Sequence, residues 1–301
     1  LPEAIIGIGY LLDFQGKGTE SIFWYEKFLS VYPENTAILT RLSQVYLETG
    51  SLTKAKEFSE RLMKLSYSAE NNLLLAEILD KEKSYEEAER CYLKAIDLKD
   101  GQVQYSFFLL RRNRIDDGLA VVNKALSILP EDPGLLLLKG LFLLEKKDHR
   151  QAANIFTEQL KLYPKNDMLY YYSGIAYEGL GERKKAENCF KRAYKLNPKN
   201  APALNWLGYT WADEGKNLKK ALNLIEKAIE IDPDNPAYID SLGWCRYRMG
   251  EMDEALPYLL KAVELGGDDP TIFEHIADVY KKKGMLKEAE GFYQKAKEKI
   301  K

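Results

Sequence analysis

The residues best suited to chemistry in this chain are two histidines, His149 and His275, and three cysteines, Cys91, Cys189 and Cys245. A metal pair on a helix needs two ligands three or four residues apart. Neither histidine has a Cys or a second His at that distance, and no C-x-x-C occurs. The cysteines are 98 and 56 residues apart, and each reads as a small apolar filler. Phosphate chemistry would call for G-x-x-x-x-G-K-[ST], which is missing, and Gly7-Ile8-Gly9 is too short a fragment to stand in for it. The acidic pairs Glu86-Glu87 and Asp116-Asp117 fall at expected helix starts, where negative charge complements the helix dipole. These residues therefore predict no enzyme, no cofactor and no metal site.

Charge and hydropathy narrow the classes further. Lysine plus arginine number 44 against 46 aspartates plus glutamates, so no basic footprint argues for a nucleic-acid partner. The chain is 46% hydrophobic and 30% charged, the balance of a folded protein and not of a disordered one. No apolar run reaches the length of a membrane span; Leu135–Leu144 is the densest stretch, and Lys139 interrupts it. The chain begins at Leu1, not at methionine. The expectation leans slightly to a periplasmic or membrane-anchored protein, tethered through a segment ahead of Leu1, over a cytoplasmic one.

The elements that must position any site emerge from spacing. Units starting at residues 2, 36, 69, 99, 133, 167, 201, 236 and 270 follow one another in steps of 34, 33, 30, 34, 34, 34, 35 and 34. The eighth position of each unit holds Gly9, Ser43, Ala76, Ser106, Gly140, Gly174, Gly208, Gly243 and Ala277. The twentieth holds Ser21, Ala55, Ala88, Gly118, Ala152, Ala186, Ala221 (one later, after an inserted residue), Ala255 and Ala289. Two antiparallel helices approach closely only where the crossing residues lack bulk, so each unit reads as a helical hairpin. Larger apolar residues surround these positions at helical spacing, as do Tyr170 and Tyr177 about Gly174. Position 27 is small in six units (Ala95, Ala125, Ala193, Ala228, Ala262, Ala296), where the second helix would meet the next hairpin. Prolines 33, 130, 164, 198 and 233 stop second helices, and Gly50, Gly181, Gly215, Gly250 and Gly284 mark the turns within hairpins.

This pattern, seen in Leu207-Gly208, Trp211, Ala221, Ala228 and Pro233, resembles the tetratricopeptide repeat (TPR) family over essentially the whole chain. The segment from Leu204 to Ala296, with Tyr238-Ile239-Asp240-Ser241-Leu242-Gly243-Trp244, is similar to C-terminal repeats of bacterial envelope-associated TPR proteins. The resemblance implies an all-α fold, a right-handed α-solenoid of nine hairpins and about 18 helices, with first helices lining a concave inner face. The step of 30 residues at Leu98-Lys99-Asp100-Gly101 is about one helical turn short. It predicts a bend there, between degenerate units over residues 1–98 and six more regular units over residues 99–301.

In the family, positions 2, 5, 6, 9, 12 and 13 of each unit face the groove, which implies binding of a peptide or protein segment. Carried onto this sequence they nominate Tyr171, Tyr172, Asn205, Trp206, Tyr209, Asp240, Trp244, Tyr247, Arg248 and His275. Tyr, Trp and Arg are the types that dominate binding hot spots. Asn205 and Asp240 would hydrogen-bond the ligand backbone. The competing reading of the same aromatics is packing between repeats, and Leu137, Leu138 and Leu141 fit burial better. A clamp for a chain-terminal carboxylate would need cations where Tyr, Leu, Trp and Asp stand, so that mode is not expected. The expected function is a protein-interaction scaffold or adaptor; the alternative is a structural repeat protein that self-associates.

Overall fold

A computed structural model describes residues 2–300, and the described residues form eighteen α-helices with no strand. They fall into two compact units whose boundary lies between Lys146 and Lys147.

In the first unit the helices are α1 (Pro2–Phe14), α2 (Gly18–Leu29), α3 (Thr36–Glu48), α4 (Leu52–Leu65), α5 (Ala69–Lys81), α6 (Tyr85–Lys94), α7 (Lys99–Arg111), α8 (Ile115–Ile128) and α9 (Pro133–Glu145). The second holds α10 (His149–Leu162), α11 (Asp167–Gly179), α12 (Arg183–Leu196), α13 (Ala201–Asp213), α14 (Leu218–Ile231), α15 (Pro236–Arg248), α16 (Met252–Glu264), α17 (Pro270–Lys282) and α18 (Leu286–Ile300). All nine expected unit starts coincide with the first residue of a first helix.

The small positions are where close approach requires them. All eighteen residues at positions 8 and 20 are buried. A Cβ on Gly174 would lie 2.7 Å from Phe190, and one on Gly208 would lie 2.5 Å from Ile225 and 2.9 Å from the Ala221 carbonyl oxygen. The position-27 alanines are likewise buried. First helices are opened by side-chain caps: Asn35, Ser68, Asp132, Asn166, Asn200, Asn235 and Asp269 each accept a hydrogen bond from a backbone N–H of the first turn. The predicted turn glycines adopt left-handed backbone, with φ between 67° at Gly215 and 87° at Gly250. In three turns the same role falls to residues with side chains, Lys83, Asn113 and Lys147, at φ 66°, 55° and 62°.

The shortened junction takes a specific form. Helix α6 has 10 residues where α4 has 14, and α7 starts at Lys99 without a side-chain cap at Leu98. The chain returns so tightly that a Cβ on Gly101 would lie 1.9 Å from the carbonyl oxygen of Ala95. Packing continues across it: Tyr92 stacks on Tyr105 at 5.9 Å between ring centroids, and the Tyr105 hydroxyl donates to Glu89 at 2.6 Å. The compact-unit boundary therefore lies one and a half hairpins further along the chain than this junction.

Candidate partner-binding groove

The second unit brings its first helices together side by side, with α13 packed against α15 and α15 against α17. On α11, Tyr171, Ile175 and Glu178 share one face at helical spacing. On α13, Pro202, Asn205, Trp206 and Tyr209 do the same. With Phe190 from α12 and Asn235, Ala237 and Tyr238 at the start of α15, they line a groove of about 390 Å³.

Its aromatic wall is ordered by stacking. Trp206 lies on Phe190 at 4.2 Å with the planes 26° apart, and Tyr171 meets Phe190 edge-on at 5.8 Å. Trp206, Tyr171 and Tyr209 are only half-buried. Burial, with smaller contributions from Asp213, Asp240, Asp269 and Glu178, pushes the Tyr209 phenol up to about 12, so it is a neutral donor throughout the physiological range. Glu178 is exposed, yet desolvation by the protein around its carboxylate raises its pKa from the ordinary value. The Trp206 side chain, as a donor, and Arg183, through space, pull it back less strongly. The buried Oδ1 of Asn205 has no hydrogen-bond partner.

A second cluster lies beside the groove on α15 and α17. His275 Nδ1 sits 3.0 Å from each carboxylate oxygen of Asp240, and both residues are about 95% buried, with exposures of 5% and 6%. The imidazole stacks on Trp244 at 4.0 Å and 15°, and Trp244 in turn stacks on Tyr247 at 4.9 Å. Arg248 caps the far side, its guanidinium 5.6 Å from the Trp244 ring and hydrogen-bonded to the Asp213 backbone carbonyl. These groups hold one another: the Asp240 carboxylate, expected to meet a ligand backbone, is already engaged by His275.

The nominated residues thus divide. Tyr171, Asn205, Trp206 and Tyr209 line one groove. Tyr172 turns toward α10, stacked on Phe156 at 5.8 Å. Asp240, Trp244 and His275 are buried inter-repeat packing, and Tyr247 and Arg248 pack on them. Seven groove residues were absent from the nomination: Ile175, Glu178, Phe190, Pro202, Asn235, Ala237 and Tyr238. Glu178 stands at position 12 of its unit, one of the positions the family directs into the groove, so the spacing already pointed to it. A larger cleft of about 450 Å³ in the first unit, lined by Glu77, Asp80, Lys81, Lys83, Tyr85, Arg111 and Arg112, holds charges that already answer one another. There Arg111 pairs with Asp80, and Arg112 lies 3.8 Å over the Tyr85 ring.

Hairpins of this size, small at the crossing positions and repeated along the chain, define an α-solenoid of helical repeats. The sequence profile of the tetratricopeptide repeat matches residues 74–301, and a second profile of the same repeat matches residues 36–68. The chain belongs to the tetratricopeptide repeat family. It is similar to the TPR repeat-containing protein PA4667 of Pseudomonas aeruginosa, at 49% identity over 59 residues, 20% of this chain and 10% of that protein. The chain thus matches about a tenth of the length of that curated relative, which points to a bacterial origin. Among solved structures it resembles human IFIT1, solved as a dimer with PPP-AAAA, at 18% identity and TM-score 0.58, covering 98% of this chain and 72% of that one. It also resembles TTC0263, a thermophilic TPR protein of Thermus thermophilus, at 23% identity and TM-score 0.50, over 60% of this chain and 98% of that one. These likenesses are of fold. TPR repeats generally mediate protein–protein interaction, and the fold is typically a non-enzymatic scaffold. No described helix is long and apolar enough to cross a membrane.

Proposed function

We propose that this protein is an interaction scaffold that holds a segment of a partner protein in the groove between α11, α13 and the start of α15. One observation carries this reading. A half-exposed aromatic wall, Tyr171, Trp206 and Tyr209, surrounds a buried acceptor, Asn205 Oδ1, that nothing in the chain satisfies. An unmet buried acceptor costs about 1–3 kcal/mol, and a partner N–H placed on it would recover that cost. Exposed aromatic area gathered in one concavity is what interface hot spots are made of.

The experiment replaces Asn205, Trp206 and Tyr209 together with Ala and compares capture of proteins from the source cells with wild type and with Lys184→Ala on the exposed face of α12. Far-ultraviolet circular dichroism checks that helicity is kept. The triple variant is expected to lose the proteins that both other forms enrich. Equal capture by all three sinks the proposal.

A further inference from the structure

We propose that the groove takes a cationic side chain of the partner segment, and an arginine in preference to a lysine. This rests on the groove reading above and adds the chemistry of the ligand. The lining contains a carboxylate, Glu178, an unpartnered carbonyl oxygen, Asn205 Oδ1, and the rings of Tyr171, Trp206 and Tyr209, but no Lys, Arg or His. The one charged group in it, the unpartnered acceptor and the ring faces therefore favour positive charge: the acceptors directly, the rings through their quadrupole. Glu178 takes part in none of the ion pairs formed among the described residues, and Arg183 reaches it only through space. Several other acidic groups on the same and the following repeat do have such a partner. Asp213 has Arg248, Glu187 has Lys191 at 2.8 Å, and Glu214 has Lys216 at 3.1 Å. A carboxylate held among aromatic rings without a counter-ion is stabilised most by a cation that arrives with its ligand. The raised pKa of Glu178 is the same imbalance seen from the proton's side.

Arginine fits better than lysine for a geometric reason. Trp206 is fixed by its stack on Phe190, so the groove presents a ring of set orientation. A planar guanidinium lies flat on such a ring while its in-plane N–H groups reach two acceptors at once; an ammonium, compact and strongly hydrated, gains less. The same device already operates elsewhere in the chain, where the Arg112 guanidinium lies 3.8 Å over Tyr85. A volume near 390 Å³ is at the small end for ligand pockets, right for one long side chain and the backbone that carries it.

The test uses the full chain labelled with 5-fluorotryptophan. Fluorine resonances report Trp24, Trp206, Trp211 and Trp244 separately, with Trp206 assigned by Trp206→Phe. The probes are N-acetyl-L-arginine N-methylamide, its lysine counterpart, its citrulline counterpart (the same shape without the charge) and its norleucine counterpart. Arginine is expected to shift Trp206 saturably and to bind about tenfold more tightly than citrulline, with lysine between them. Glu178→Gln, which keeps size and hydrogen-bonding shape, is expected to bring arginine and citrulline together. Citrulline or norleucine binding as tightly as arginine in the unmodified protein overturns the charge claim and leaves the groove standing. Lysine binding more tightly than arginine overturns the preference. A Trp206 resonance that none of the four probes moves overturns the inference, and the groove reading then stands or falls on the capture experiment alone. The comparison of probes on the unmodified protein needs no variant to fold.

Discussion

Asp13, at the end of α1, accepts from Arg41 of α3 through both carboxylate oxygens, at 2.5 and 2.7 Å, and from the Tyr25 hydroxyl of α2 at 2.9 Å. Arg41, and to a lesser degree Tyr25, hold the carboxyl below its ordinary pKa against the opposing effect of burial. A depressed folded-state pKa means stability that is fully present above the ordinary carboxylate value. It is lost as pH falls through the lower folded value. Acid titration of the unfolding midpoint should therefore show a steeper fall for wild type than for Asp13→Asn, with the two curves converging in acid; parallel curves would refute this. His275 and Asp240 form a buried pair whose members depend on each other. Removing the imidazole by His275→Ala leaves the Asp240 carboxylate without its partner in a packed interior and opens the stack on Trp244. The expected loss is about 3–5 kcal/mol in urea unfolding, and Asp240→Asn with His275→Ala should cost less than the sum of the two single changes. Additivity would show that the pair is not coupled.

At the scale of the helix and the turn, the repeat is legible wherever the local problem is the same in every copy. Gly174 and Gly208 are small because Phe190 and Ile225 lie where a side chain would go, and the same demand recurs about every 34 residues. Gly101 is different. The atom facing it is the Ala95 carbonyl oxygen, which cannot turn away as a side chain can. Gly101→Ala should therefore destabilise by about 2–3 kcal/mol, more than the swap at Gly7, whose added Cβ would meet nothing within 4 Å. Lys83 carries the converse prediction. It occupies the left-handed turn that glycine fills in other hairpins, so Lys83→Gly should be neutral or raise stability by up to about 1 kcal/mol. Thermal unfolding of the three variants ranks them, and a stabilised Gly101→Ala would show that the junction is looser than described. The pairs that sequence spacing missed also belong here. His275–Asp240 and Arg248–Asp213 are each separated by 35 residues, and Lys283–Asp253 by 30. A search for partners within one helical turn cannot find such pairs, because in a stacked repeat the neighbour of a residue is one repeat away.

For the whole molecule, each of the two compact units has buried side chains of its own repeats at its core. Buried Tyr25, Leu39, Leu42 and Phe58, and then Tyr92, Phe108 and Phe142, fill the first. Phe190, Leu204 and Leu207, with Ile225, Leu259 and Ile276, fill the second. Repeat arrays are stabilised by neighbour contacts, so their parts need not unfold together. Trp24 reports the first unit and Trp206, Trp211 and Trp244 the second. Urea curves from a variant keeping only Trp24 and from Trp24→Phe are expected to have different midpoints, and coincident curves would mean that the chain unfolds as one.

The amino-acid sequence by itself determined the class of fold, the nine unit starts and the eighteen crossing positions. Those follow from sterics inside one hairpin, and a small residue or a left-handed turn is written at its own place in the chain. The resemblance to the repeat family also singled out Tyr171, Asn205, Trp206 and Tyr209, at positions that the family directs into the groove. Only the tertiary structure decided that Tyr172, Asp240, Trp244 and His275 are engaged by packing, while Asn205 Oδ1 is left without a hydrogen-bond partner and Glu178 without an ion pair among the described residues. Whether a face is filled depends on which side chains the next repeat brings to it. Asp240 and Asn205 occupy the same position of consecutive repeats. One meets a histidine from the following first helix, and the other meets a groove.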